Sequence, residues 1–237
     1  MKEMRVVILT GGIFHDFGQM TAATVGILAA AGMETELVGT PADLVAALDR
    51  APADLVVVQA LRFRMLGNEK YAPHRAEWAY ETDPDLMRAL ESHAKAGRGI
   101  IALHTGCICF DGWPGWHDLL AGGWVWGQSY HAPGLETVDV TPVGDHPVTE
   151  GIRPFSVTDE HYRDLDIHPE AIVLAQGRTG KAVDHPVAWA RDGGEQGGRA
   201  VTLTFGHDLA SIANPGQARF IQQAALWAAG RNGESSI

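Results

Sequence analysis

The sequence is short of basic charge, of cysteine and of long apolar runs. Its 18 Lys and Arg face 29 Asp and Glu, for a formal net charge of −11. So acidic a chain offers no basic face to a nucleic acid or an anionic membrane, and neither is expected as a partner. No window approaches the ~18 uninterrupted apolar residues of a spanning helix, and the first apolar stretch, Arg5–Thr10, is too short for a signal peptide. The only cysteines, Cys107 and Cys109, are one residue apart, a spacing too strained for an ordinary disulfide. Two free thiols predict a reducing, cytoplasmic setting. Cys-x-x-Cys pairs, a Gly-x-Gly-x-x-Gly or phosphate-binding loop and a His-Glu-x-x-His helix are all missing. No nucleotide cofactor is therefore expected, and any metal site has to be assembled from residues distant in sequence.

What remains is a chain of 237 residues with 46% hydrophobic content, enough for a real core. Its first half alternates strand and helix. Strands are predicted at Arg5–Thr10, Thr35–Val38, Ala53–Val58 and Gly99–Leu103, with helices at 18–32, Pro41–Arg50 and Asp83–Lys95. Apolar, β-branched strands between helices predict a parallel sheet covered on both faces. Further strands are predicted near Glu136–Thr141, Ala171–Ala175, Val187–Ala190 and Arg199–Phe205, with a turn at Asp192-Gly193-Gly194 and a closing helix at Pro215–Ala229. A single domain over residues 1–237 is the economical reading, with a frayed tail at 231–237.

The 11 histidines are the most unusual count. Ligands of an open parallel sheet sit outside the carboxyl ends of its strands. His15 follows the first strand, His104 ends the fourth, and His207 follows the last, so the fold rule gathers three distant residues on one rim. His74 and His93 read as solvated, His117 as part of a short helix, His168 and His185 as loop residues before proline, and His146 as a turn former. Residues 105–135 carry four of the seven tryptophans, Trp113, Trp116, Trp124 and Trp126, together with Tyr130. They read either as core cover or, slightly better, as a platform for sugar rings beside the rim. Arg62 and Arg64, just past the third strand, are expected to pair with acidic residues rather than hold a ligand.

Four blocks in order resemble the ThuA-like, trehalose-utilisation family. They are His15-Asp16 before a helix, Gly99–His104, Asp145–Ile152 with Phe155 and Asp159-Glu160-His161-Tyr162, and Pro186–Trp189 with Gly198-Arg199 and Phe205–Asp208. The resemblance spans about residues 5–230. It implies a flavodoxin-like, class I glutamine amidotransferase-like three-layer sandwich with a mostly parallel central sheet. Amidotransferases of that superfamily carry a nucleophilic Cys at a sharp turn after a strand. Here that turn falls on His104, and an imidazole cannot form the thioester. Glutamine amidotransfer is therefore not expected. Cys107, three residues on, is the one displaced nucleophile to consider.

The expected machinery is His104, Glu160 and His207 as catalytic groups, with His15, Trp126, Tyr130, Asp159, Tyr162 and Asp208 contacting substrate. A divalent ion, Zn or Mn, fits His104, His131, Glu160 and His207. The same groups also fit metal-free general acid–base work. A bland alternative for Asp159-Glu160 is a helix N-terminal cap. The function expected from this set, from the tryptophans and from the family's link to disaccharide catabolism is an enzyme acting on a keto-sugar or keto-glycoside, by isomerisation or by elimination and hydrolysis. A non-catalytic sugar-binding module and a Cys107-dependent hydrolase are the alternatives. The partner is a small carbohydrate, and a homodimer is the default assembly.

Overall fold

The computed structural model describes residues 4–193 and 197–230. The expected frayed tail at 231–237 and Gly194 of the expected turn lie outside the described residues. The first half runs β1 (Met4–Gly11), α1 (Phe17–Ala30), β2 (Met33–Val38), α2 (Pro41–Arg50), β3 (Leu55–Ala60), α3 (Arg75–Trp78), α4 (Pro84–Lys95) and β4 (Gly99–Leu103). The second half runs α5 (Pro114–Leu120), β5 (Gly122–Gly123), β6 (Glu136–Pro142), β7 (Phe155–Asp159), β8 (Asp166–Ile167), β9 (Ile172–Arg178), β10 (His185–Arg191), β11 (Ala200–Leu203), α6 (Leu209–Ile212) and α7 (Pro215–Ala228).

Several helices start the same way. Thr40, Asp83 and Asn214 accept a backbone N–H of the first turn, and each is followed by proline at the first helical position. The side chain satisfies a donor the helix cannot, and proline has no N–H to leave orphaned there.

Nine strands form one sheet in the order β2-β1-β3-β4-β11-β10-β9-β6-β7. The first five are parallel, in the flavodoxin-like order 2-1-3-4-5 with β11 in fifth place. Strands β3 and β4 are wholly buried along their length, as a sheet covered on both faces demands. Chain passage from β1 to β2 and from β2 to β3 runs in opposite directions across the sheet. Right-handed crossovers then put α1 on one face and α2 on the other. α1 packs with α7, and α2 with α4.

The four remaining strands extend the sheet in antiparallel pairs. This antiparallel half is broader than the sequence pattern indicated, and β7 was not foreseen as a strand. Asp159-Glu160 therefore ends a strand instead of capping a helix. The end of β7 nonetheless touches the loop after β11: Asp159 accepts the Gly206 backbone N–H at 2.7 Å. The twisted sheet curls its far edge back over the rim of the parallel half.

Two histidine expectations are corrected. His93 is buried at 3% exposure in α4, its Nε2 donating to the Gly99 carbonyl at 2.8 Å. His185 begins β10 rather than lying in a loop. No helix among the described residues is long and apolar enough to cross a membrane.

Candidate functional site

The turn after β4 is the centre of the site. His104 takes φ 48°, left-handed for a bulky residue, between an extended Leu103 and a short 3₁₀ turn. That is the sharp strand-to-helix elbow on which a reactive side chain is displayed. Gly106 makes it possible, because a Cβ there would lie 2.3 Å from the Val58 carbonyl oxygen. The preceding loop depends likewise on Gly12, at φ 148°, where a Cβ would meet the Leu61 backbone at 2.9 Å. That loop delivers His15.

The rim prediction holds in geometry. His15, His104, Glu160 and His207 each present one ligand atom, and these atoms all lie within 4.8 Å of one another. His104 Nδ1 sits 2.7 Å from the Thr204 carbonyl, which can only accept, so that nitrogen carries the hydrogen. His104 Nε2 is left with its lone pair. It faces His15 Nε2 at 3.2 Å, Glu160 Oε2 at 3.4 Å and the Tyr162 hydroxyl at 3.1 Å. His15 Nδ1 leans on the Ile13 carbonyl, so its Nε2 too is the lone-pair side. His207 Nδ1 lies 3.5 Å from Glu160 Oε2. Three acceptors thus converge, and the one Tyr162 proton cannot satisfy them all. Such a group could hold a metal ion at its centre. The two separations from His104 Nε2 are close to the ~3.3 Å edge of a tetrahedron with metal–nitrogen bonds of about 2.0 Å, and the third, His15 Nε2 to Glu160 Oε2, is longer at 4.0 Å.

Burial is the largest influence on most of these groups. It lowers the His15 pKa to about 4, with His104 and His207 adding to the shift. Burial also opposes the Glu160 charge, but the close imidazoles of His104, His207 and His131 outweigh it, and the carboxyl is held far below its ordinary range. A carboxylate that releases its proton so readily is a better ligand than general base. His207 is shifted up by the adjacent Glu160 carboxylate, against burial.

The remaining expected residues divide. His131 lines the same pocket, but its Nδ1 is held by the Ala132 carbonyl at 2.8 Å and it lies outside the converging set, where His15 stands instead. Tyr162 is buried behind His104, stacked on its ring at 4.8 Å. Asp159 is also buried, and faces away from the pocket. Four donors meet its carboxyl: the Glu160, Gly206 and His207 amides and the Ser211 hydroxyl. It fixes the backbones that carry Glu160 and His207, so its expected substrate contact is corrected to a positioning role. Asp208 caps α6 through the Ser211 amide, and Tyr130 is an exposed residue bridged to Arg163. Neither lines the pocket.

The tryptophan platform also contracts. Trp113, Trp116 and Trp124 are buried core, and of the four only Trp126 reaches the pocket wall. Arg64 pairs with Asp111 as expected, whereas Arg62 donates to the Gly39 carbonyl. Cys107 is fully buried, donates to the His104 carbonyl, and burial pushes its thiol far up. It has neither access nor a thiolate, which removes the cysteine nucleophile.

The pocket is a cleft beside the β1/β3 switch point of the sheet. Its lining joins the polar groups of His15, Thr105, His131 and Glu160 to the rings of Phe14, Phe63, Tyr71 and Trp126. Reasoning from sequence overlooked Phe14, Tyr71 and Lys70 of this wall. Phe14 had a usable signal, being an aromatic directly before the rim residue His15.

Residues 73–228 match the ThuA family, described as trehalose utilisation. The chain belongs to this family. The structure of a ThuA-like protein from Parabacteroides merdae is similar at TM-score 0.78 and 16% identity, covering 100% of this chain and 93% of that one. A ThuA-like protein from Bacteroides uniformis follows at TM-score 0.71 and 13% identity, over 98% and 94%. A β-galactosidase from Rahnella sp. R3 contains the same fold at TM-score 0.61 and 14% identity, over 96% of this chain and 31% of its own. At such identities these structures speak for the fold. No curated protein matches the chain.

Proposed function

We propose that this ThuA-family protein is a carbohydrate-catabolic enzyme that acts on keto-sugars or keto-glycosides, with a divalent cation held by His15, His104 and Glu160. The observation that carries the reading is the convergence of His15 Nε2 and Glu160 Oε2 on the lone pair of His104 Nε2, at a strained, buried elbow behind the cleft that His15 and Glu160 line. Two imidazoles and one carboxylate are a common ligand set for a zinc or manganese ion with open positions. Such an ion polarises a carbonyl and stabilises the oxyanion that forms when a neighbouring C–H is deprotonated.

The protein groups supply the rest. His131, whose Nδ1 hydrogen is engaged by Ala132, offers Nε2 to take the proton from the carbon next to the carbonyl. The electron pair moves onto the carbonyl oxygen. Returning the proton to the former carbonyl carbon, while the neighbouring hydroxyl proton passes to the former carbonyl oxygen, isomerises the sugar. Where a glycosidic oxygen sits β to the carbonyl, as at C1 of a 3-keto sugar, the same pair instead re-forms the carbonyl, makes the C1–C2 double bond and breaks the C1–O bond. His207 supplies the proton to the departing oxygen, and water then adds across the double bond. The two free, buried thiols fit a reducing, cytoplasmic setting.

The test combines elemental analysis of the purified protein with turnover of 3-keto-glucosides. His104→Ala and Glu160→Gln should each lose the bound metal and about 10²–10⁴-fold in rate while remaining folded. Folded variants that turn over at the wild-type rate would sink the assignment. Wild-type turnover that survives chelation and full metal removal would remove the cation from it.

A further inference from the structure

Not all of the cleft's lining belongs to the reacting groups. Its exposed members Phe14 and Lys70 mark the mouth, beside the largely buried Tyr71. Phe14 is 53% exposed and holds φ 73°, a backbone state that bulky residues avoid. Nothing in core packing calls for this, since the ring projects to solvent. Its edges rest on His74 at 5.3 Å and Tyr71 at 6.1 Å, which fix the ring without covering it. Lys70 spans the Tyr71 ring, its Nζ 4.9 Å from the centroid, while neighbouring Glu69 pairs with Arg75 instead. Phe14 and His15 are consecutive, so one loop carries both the mouth and a member of the converging set.

We propose that Phe14, Lys70 and Tyr71 form a second subsite, which holds the part of a glycoside beyond its C1 oxygen: a second ring with an apolar face. This rests on the keto-glycoside reading above. An exposed aromatic beside donors is what such a ring requires, since its C–H face packs on the phenyl group while its hydroxyls accept from the Lys70 ammonium.

The experiment compares two ligands on wild-type, Phe14→Ala and Phe14→Tyr proteins. The ligands are a methyl 3-keto-glucoside and the 3-keto form of a glucosyl disaccharide, with affinity read by calorimetry and turnover by product release. Phe14→Ala should weaken the disaccharide about ten-fold and the methyl glycoside by less than about two-fold. Phe14→Tyr should restore the disaccharide affinity. A Phe14→Ala protein that loses both ligands equally, or neither, overturns the subsite while leaving the keto-sugar reading intact. A wild-type protein that binds neither ligand overturns both.

Discussion

Asp159 shows how a residue can matter to a site without facing it. Its carboxyl is fully buried, and burial pushes its pKa up against the pull of His104 and its hydrogen-bond donors. Those donors belong to the backbones of Glu160, Gly206 and His207 and to Ser211, on two elements far apart in sequence. Removing the carboxyl leaves buried N–H groups without acceptors, each at a cost of about 1–3 kcal/mol. Asp159→Ala should therefore lower the unfolding free energy in urea by on the order of 3 kcal/mol, and reduce turnover by displacing Glu160 and His207. Asp159→Asn keeps one acceptor and should fall between the two. Equal stability for Asp159→Ala and wild type would show that the donors find other partners. The sequence made Asp159 visible as a polar residue in a telling block, but not which way it points. In a strand, neighbouring side chains alternate faces, and Asp159 was not seen to end one. With Glu160 turned to the pocket, Asp159 had to turn away.

At the scale of elements, the parallel half of the fold was legible and the antiparallel half only in pieces. Buried parallel strands such as Leu55–Ala60 are continuous apolar runs between capped helices, and that signal is local. Phe155–Asp159 carries three polar residues in five and packs at a sheet edge, so nothing local announces it. The elbow is a further case. His104 was placed at the turn by its position after β4, while the backbone strain there is a tertiary property that depends on Gly106 lying against Val58. Two glycines separate these effects. Gly106→Ala would drive a methyl group into a backbone carbonyl and should destabilise the fold by several kcal/mol, on the scale of ~1–3 kcal/mol or more for overpacking. Gly26→Ala, on the exposed side of α1 with nothing within 4 Å, should stabilise it by about 0.5–1 kcal/mol. Urea denaturation of both variants measures the pair, and a harmless Gly106→Ala would mean the elbow has room to relax.

For the whole molecule, histidine count and histidine role come apart. Three converge at the rim as His15, His104 and His207, brought there by the strand-end rule that the sequence allowed, while His131 lines the adjoining cleft. Others are buried for packing, and burial is what the sequence did not reveal. His93 looked solvated because it lies near the end of a charged helix, yet the helix turns it under the sheet, where Gly99 takes its Nε2 hydrogen. Burial there lowers its pKa from 6.5 to about 4, the Gly99 bond opposing only in part. The unfolded chain therefore binds this proton before the folded one does. The stabilisation is complete above about pH 6.5 and is lost as the pH falls towards about 4, a difference on the order of 3 kcal/mol for this one group. His15 and His161, lowered to about 4 chiefly by burial, add slope in the same window. Wild-type stability in urea should thus fall steeply between pH 6.5 and pH 4. His93→Gln, which cannot titrate, should be less stable at pH 7 for loss of packing but distinctly flatter across that window. Because His93 lies away from the cleft, the change of slope should leave metal content and sugar binding at pH 7 unaltered. A His93→Gln profile parallel to wild type would show that the ring opens to water before it is protonated, and that the acid sensitivity of this protein resides at the rim instead.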